Sequence, residues 1–150
     1  MFDFDPDAAA RPDAGIFGLP HGEADAALVL IPVPFDATTS YRDGTRCGPD
    51  AIAEASLQVD LYDFQFGKVY ERGIFLQDAD PRIVELARSA RRTAEPILQK
   101  GGAEDGDEET VRQVDEASAE VTAIVRARAS GILASGRIPG VLGGDHSCPL

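Results

Sequence analysis

The 150-residue chain is acidic, with 14 basic and 26 acidic residues and a formal net charge of −12. Nucleic acids and anionic membrane surfaces bind clustered Lys and Arg, so this charge argues against both and favours small cationic ligands. Hydrophobic residues make up 43% of the chain and charged residues 27%. This is the composition of a globular protein with a buried core, not of a disordered one.

The lack of recognisable targeting signals and the cysteine pattern both favour a cytoplasmic location. No apolar run reaches the roughly 18 residues of a membrane-spanning helix, and the acidic start lacks the features of a secretory signal. Cys47 and Cys148 form no CxxC pair and are too few for a disulfide framework. We therefore predict a cytoplasmic protein with spectator cysteines.

The first half of the chain predicts an N-terminal arm, a strand, a loop and a helix. Residues 1–25 are rich in Asp, Ala, Pro and Gly without a period, which indicates an arm or a poorly ordered lead-in. The apolar run at residues 26–33 predicts a buried strand, although Pro32 and Pro34 disfavour a central place for its end. The loop at residues 35–48 precedes a helix that starts near Gly48. The inward-facing positions predicted for this helix region are Ile52, Ala55, Ser56 and Val59.

The second half predicts two more strands and two longer helices. Residues 73–76 form a second strand, and Asp80 caps a helix that Pro96 should kink or end. A long amphipathic helix follows at residues 109–134, and a third strand at residues 137–142. This alternation is typical of an α/β fold with a parallel sheet, whose sites form beyond the carboxyl ends of the strands.

The motif Gly-Gly-Asp-His-Ser at residues 143–147 directly follows the third strand. Paired glycines allow a tight turn that presents a carboxylate and an imidazole together. Imidazole is a common metal ligand and a neighbouring carboxylate can orient it, which makes His146 and Asp145 candidates for a metal site. The residues alone leave a second interpretation open, in which Asp145 and His146 simply cap a turn between strand and helix.

The two loops together resemble those of the ureohydrolase superfamily, which includes arginase and agmatinase. The pattern Pro-Phe-Asp, Thr-Thr-Ser and Gly-Pro-Asp-Ala-Ile at residues 34–52, followed about a hundred residues later by residues 143–147, is most similar to the agmatinase-like branch. The resemblance covers residues 26–150. It implies a three-layer α/β/α fold with a mostly parallel sheet, incomplete here on its C-terminal side, so that residues 26–150 are the N-terminal part of one domain.

The resemblance also implies an activity and a cofactor. Members hydrolyse a guanidino group to urea and an amine through a hydroxide shared by two Mn²⁺ ions, which can attack a weakly electrophilic guanidino carbon at neutral pH. His146 corresponds to one Mn²⁺ ligand. Asp145 corresponds to a position that does not bind the metal directly, and we expect it to support the ligand. The implied substrate is a small cationic guanidino compound, first agmatine, then guanidinobutyrate, guanidine or arginine, and the implied assembly is a homotrimer or homohexamer.

The other metal ligands implied by the resemblance are missing. They belong to Asp-x-His-x-Asp and Ser-x-Asp-x-Asp motifs, and neither motif occurs in this sequence. A single imidazole cannot hold two metal ions, so the 150-residue chain by itself is expected to be inactive. Three explanations stay open: the N-terminal part of a longer enzyme, one half of a split enzyme, or a non-catalytic binding or assembly module.

The loop at residues 35–48 has two interpretations as well. It leaves a strand at the same end of the sheet as His146, so Asp36, Arg42 and Asp43 are candidate substrate-binding residues at the mouth of a pocket. Alternatively, the loop is a salt-bridged structural segment that locks the following helix, with Arg42 and Arg46 as internal ion-pair partners.

Overall fold

Three parallel strands and three α-helices form the framework of the domain. A computed structural model describes residues 4–6, 8–11 and 14–145. The described elements are β1 (Leu28–Val33), α1 (Gly48–Ala55), β2 (Ile74–Leu76), α2 (Pro81–Gln99), α3 (Glu108–Ala134) and β3 (Ile138–Gly143). The strands form one sheet in the order β2-β1-β3, with both pairs parallel. The predicted α/β class with a parallel sheet is confirmed.

The end of β1 at Pro32 pairs on one side only, which agrees with the prediction that the prolines disfavour a central place for it. β1 lies between the other two strands, and Pro32 pairs in register with Leu142 of β3. The main-chain N–H and C=O groups of successive residues in a strand point alternately toward its two neighbouring strands. The carbonyl of Leu30 accepts from Gln77 on the β2 side, and the carbonyl of Val33 accepts from Gly144 on the β3 side. Pro32 therefore turns its missing N–H toward the β2 side, and β2 already ends at Leu76.

The core lies between one face of the sheet and the helices α2 and α3. β1 contributes Val29, Ile31 and Val33, which are at most 3% exposed. The helices contribute Ile83, Leu86, Ala87, Ala90 and Ala94 from α2 and Val114, Ala117, Val121 and Ile132 from α3. Each of the two helices buries a single face, which is the arrangement that an amphipathic sequence favours.

Helix α2 begins and ends close to the predicted signals. The Asp80 carboxylate accepts a hydrogen bond of 2.8 Å from the main-chain N–H of Arg82, which is the expected N-cap contact. Pro96 lies inside the last turn, and the helix ends three residues later at Gln99.

Helix α1 is rotated relative to the prediction. Ile52 and Val59 are exposed, as is Ala55, while Ser56 is 3% exposed. The covered positions are Pro49, Ala53 and Ser56, a stripe at helical spacing that lies one residue beyond Ile52 and Ala55. The Ser56 hydroxyl fixes this side, because it accepts a 2.8 Å hydrogen bond from the N–H of Phe17.

The described part of the N-terminal segment packs against the domain. A 3-10 turn at Ile16–Gly18 precedes Leu19, and both Ile16 and Leu19 are buried, at 5% and 1% exposure. The domain boundary at residue 25 stays a prediction. No helix within the described ranges combines the length and the apolar character that crossing a membrane requires.

Candidate functional site

The loops that follow β1 and β3 contact each other at the carboxyl edge of the sheet. The N–H of Gly144 donates to the carbonyl of Val33 at 2.9 Å, and the N–H of Asp145 donates to the carbonyl of Phe35 at 3.1 Å. These bonds continue the β1–β3 ladder beyond the strands. The two motifs that are about a hundred residues apart in sequence therefore form one structural unit.

Gly144 is needed at the contact because the loops approach too closely for a side chain. A Cβ atom on Gly144 would lie 2.4 Å from the Phe35 carbonyl oxygen and 3.1 Å from the Cα of Arg46. A Cβ on Gly48 would lie 3.2 Å from the carbonyl oxygen of Gly143. The glycines in both motifs thus allow backbone to pack on backbone.

Asp36 closes the first loop on itself. Its side chain is fully buried, and Oδ2 accepts from the N–H of Gly44 at 2.8 Å and from the N–H of Arg46 at 3.2 Å. The Arg46 guanidinium Nη1 also lies 3.2 Å from Oδ2. A buried carboxylate needs such partners, since an unpaired charge in the interior is strongly unfavourable.

Arg91 of α2 forms hydrogen bonds that connect the loop at residues 35–48 to the helical layer. Its Nη1 donates to the carbonyl of Thr39 at 2.7 Å and to the Thr39 hydroxyl at 3.0 Å, with the Asp36 carbonyl oxygen at 3.5 Å. Sequence reasoning missed Arg91. The signal was present, because Arg91 lies four residues after the buried Ala87 and so belongs to the inward side of α2.

The candidate substrate-binding residues occupy different environments. Asp36 is buried and paired, which favours the interpretation of a structural loop for this residue. The Asp43 carboxylate is 62% exposed and lies 3.6 Å from Nη1 of Arg46. Arg42 is exposed, with its guanidinium 5.2 Å from the centre of the Tyr41 ring, so Arg46 and not Arg42 is the internal ion-pair partner. Roles in substrate binding stay predictions for all three candidates.

The metal-site candidates are described only in part. Asp145 is half-buried at the end of the described chain, whereas His146 and Cys148 lie outside the described residues. Within residues 4–6, 8–11 and 14–145, no three His, Cys, Asp or Glu side chains are grouped so that they could hold a metal ion. The described residues therefore do not by themselves provide a metal site.

A sequence profile of the Arginase family matches residues 26–150. The chain belongs to the arginase family. The match covers both loops of the carboxyl edge and every strand of the sheet. The two motifs had indicated a resemblance to the agmatinase-like ureohydrolases, and this resemblance is confirmed.

Curated relatives differ in their identity to this chain and in the length that they match. An N(1)-aminopropylagmatine ureohydrolase of Synechocystis is 54% identical over 44 residues, which cover 29% of this chain and 14% of the relative. Its counterpart from Thermococcus kodakarensis is 28% identical over 125 residues, covering 83% of this chain and 34% of the relative. An agmatinase of Pyrococcus horikoshii is 31% identical over 78 residues, covering 45% and 28%. The matched segments thus span about a third or less of these relatives. No solved structure matches this chain.

Proposed function

We propose that the protein takes part in the hydrolysis of a guanidino compound to urea and an amine. The observation that supports this most is the arginase-family match together with the interlocked loops at the carboxyl edge of β1 and β3. In a parallel α/β sheet this edge is where ligands bind. Water supplies the oxygen of urea, one C–N bond of the guanidino group breaks, and the released amine takes up a proton.

A linear guanidino amine is the proposed substrate class. The relatives are named for agmatine and N(1)-aminopropylagmatine, which makes these two the first candidates. A guanidinium is cationic, and the net charge of −12 favours the approach of cations. Guanidinobutyrate, guanidine and arginine are the remaining candidates.

Two Mn²⁺ ions are the proposed cofactor, with His146 as a ligand and Asp145 as a residue that supports it. Divalent ions supply Lewis-acid chemistry for hydrolysis at neutral pH. Because the described residues form no metal-holding group, we assign them no part in the bond-breaking step. The proposal extends to a cytoplasmic homo-oligomer, a trimer or hexamer, that binds neither nucleic acid nor membranes.

The test is a urea-release assay on the full natural protein with Mn²⁺ and each of the guanidino compounds named above. We expect release from at least one of them. His146→Asn should lower Mn²⁺ content and urea release together, whereas His21→Asn, a change of the chain's other histidine, should alter neither. If no guanidino compound yields urea, the alternative of a non-catalytic binding or assembly module is favoured. If His146→Asn retains its full Mn²⁺ content, the ligand assignment fails.

A further inference from the structure

The carbonyl of Phe35 is the point at which the two loops meet. Its oxygen accepts the N–H of Asp145 at 3.1 Å and lies against the Gly144 backbone. Phe35 itself is 2% exposed, so its ring anchors this carbonyl from inside the core. Any movement of the Phe35 carbonyl therefore changes the backbone immediately before His146.

Asp36 holds one end of the peptide that carries that carbonyl. The Phe35 carbonyl and the Asp36 N–H belong to one planar unit that ends at the Cα atoms of the two residues. A shift of the Asp36 Cα therefore moves the whole unit, including the carbonyl oxygen that accepts from Asp145. The Asp36 carboxylate is held by Gly44 and Arg46, and Arg91 contacts its carbonyl side. These three residues hold the side chain and the carbonyl of Asp36, and with them the Cα at one end of the peptide that carries the acceptor for Asp145.

We propose that Asp36 is a positioning residue that sets the backbone of Gly144 and Asp145, and with it the turn that leads into His146. The buried carboxylate acts through the peptide that joins Phe35 to Asp36, and this role requires no contact with substrate. The proposal rests on the proposed function only for the importance of His146. Its structural part concerns two main-chain amides and can be measured without substrate or metal.

The first test is amide hydrogen exchange of the full natural protein without added metal. In Asp36→Asn the carboxylate charge is lost and the side-chain amide faces the donors of Gly44 and Arg46. The contacts between these two residues and residue 36 should therefore weaken. We expect the amides of Gly144 and Asp145 to exchange about tenfold faster or more. Arg46→Lys keeps a positive charge but loses the guanidinium geometry, and it should accelerate the same amides to a smaller extent. The second variant also tests the proposal if Asp36→Asn does not fold.

A matched control separates positioning from general destabilisation. Ile83→Val removes a methyl group from the core on α2, far along the chain from both loops. It should lower stability and leave the exchange of Gly144 and Asp145 unchanged, because these amides open locally. Equal acceleration in Ile83→Val, or unchanged exchange in a folded Asp36 or Arg46 variant, would overturn the proposal.

Mn²⁺ binding tests whether Asp36 affects the proposed metal ligand His146. In equilibrium dialysis, Asp36→Asn should bind Mn²⁺ about tenfold more weakly, the size of effect seen when residues behind a ligand are changed. If the amides of Gly144 and Asp145 exchange faster but the wild-type protein neither binds Mn²⁺ nor releases urea, the positioning role stands and the proposed function falls. If Mn²⁺ binds equally well to both forms while urea release is normal, the link from Asp36 to His146 is overturned.

Discussion

Gly144→Ala should destabilise the protein by about 3 kcal/mol. The added methyl carbon would lie 2.4 Å from the Phe35 carbonyl oxygen, about 1 Å inside van der Waals contact. Backbone surrounds this position on both sides, so one of the two loops must shift. Overpacking of this kind costs about 1–3 kcal/mol, and a shift that breaks the bond from Asp145 to Phe35 adds about 1 kcal/mol.

Urea-induced unfolding followed by circular dichroism measures this cost, and Gly131→Ala provides the matched control. Gly131 lies inside α3, and a Cβ there would meet nothing within 4 Å. The same substitution should therefore stabilise the protein at that position by about 0.5–1 kcal/mol, because Ala has the better helix propensity. A Gly144→Ala protein within 0.5 kcal/mol (roughly the scatter of neutral surface changes) of wild type would refute the close approach of the two loops.

Three further changes test the packing, the cap and the surface charges. Ile83→Ala, at a fully buried position, should lower the free energy of unfolding by about 3 kcal/mol. Asp80→Ala removes the acceptor for the Arg82 N–H at the start of α2 and should cost about 1–2 kcal/mol. The hydrogen bond from Lys100 holds the pKa of Asp107 below its ordinary value, so Lys100→Gln should raise the Asp107 pKa. The stabilisation from ionised Asp107 is present above the pKa of the unfolded chain and is lost as the pH falls through the lower folded value.

The same variants have outcomes that would contradict the reasoning. A loss below about 1 kcal/mol for Ile83→Ala would show that the core around α2 is loosely packed. Unchanged helicity and stability in Asp80→Ala would show that another group satisfies the Arg82 N–H. An NMR titration in which Lys100→Gln leaves the Asp107 pKa unchanged would remove Lys100 as the main cause of the shift.

Periodicity in the sequence was sufficient for most of the fold. The alternation of apolar runs and helical faces predicted β1 and α2 because each buries a continuous surface. It also located β3, although the residues of β3 are exposed or only partly buried in the described structure. It failed for α1, where the short helix has its covered stripe at Pro49, Ala53 and Ser56, which is set by a hydrogen bond to distant Phe17. A contact of this kind leaves no local pattern in the sequence.

The site was only partly predictable for a similar reason. Glycine-rich motifs after two strands correctly indicated two loops at one edge of a parallel sheet. The burial of Asp36 depends on donors from Gly44 and Arg46 that only the folded loop brings together, so the sequence could not distinguish a substrate ligand from a structural clamp. The position of Arg91 on the inward side of α2 could be derived from helical spacing, but its partners could not, because they lie some fifty residues away in the chain.

The central position of β1 has a consequence for how the protein is made. β1 leaves the ribosome before β2 and β3, and β3, which pairs with β1 over six residues, follows about 110 residues later. At translation speeds of about 5–20 residues per second, one edge of β1 waits roughly 5 to 20 seconds for its partner. The helices α2 and α3, which cover one face of β1, are synthesised during that time, whereas the strand that pairs with the β3 edge of β1 comes after both. The nascent chain is therefore most open to mispairing before residue 138 emerges, which gives chaperones a defined period in which to act.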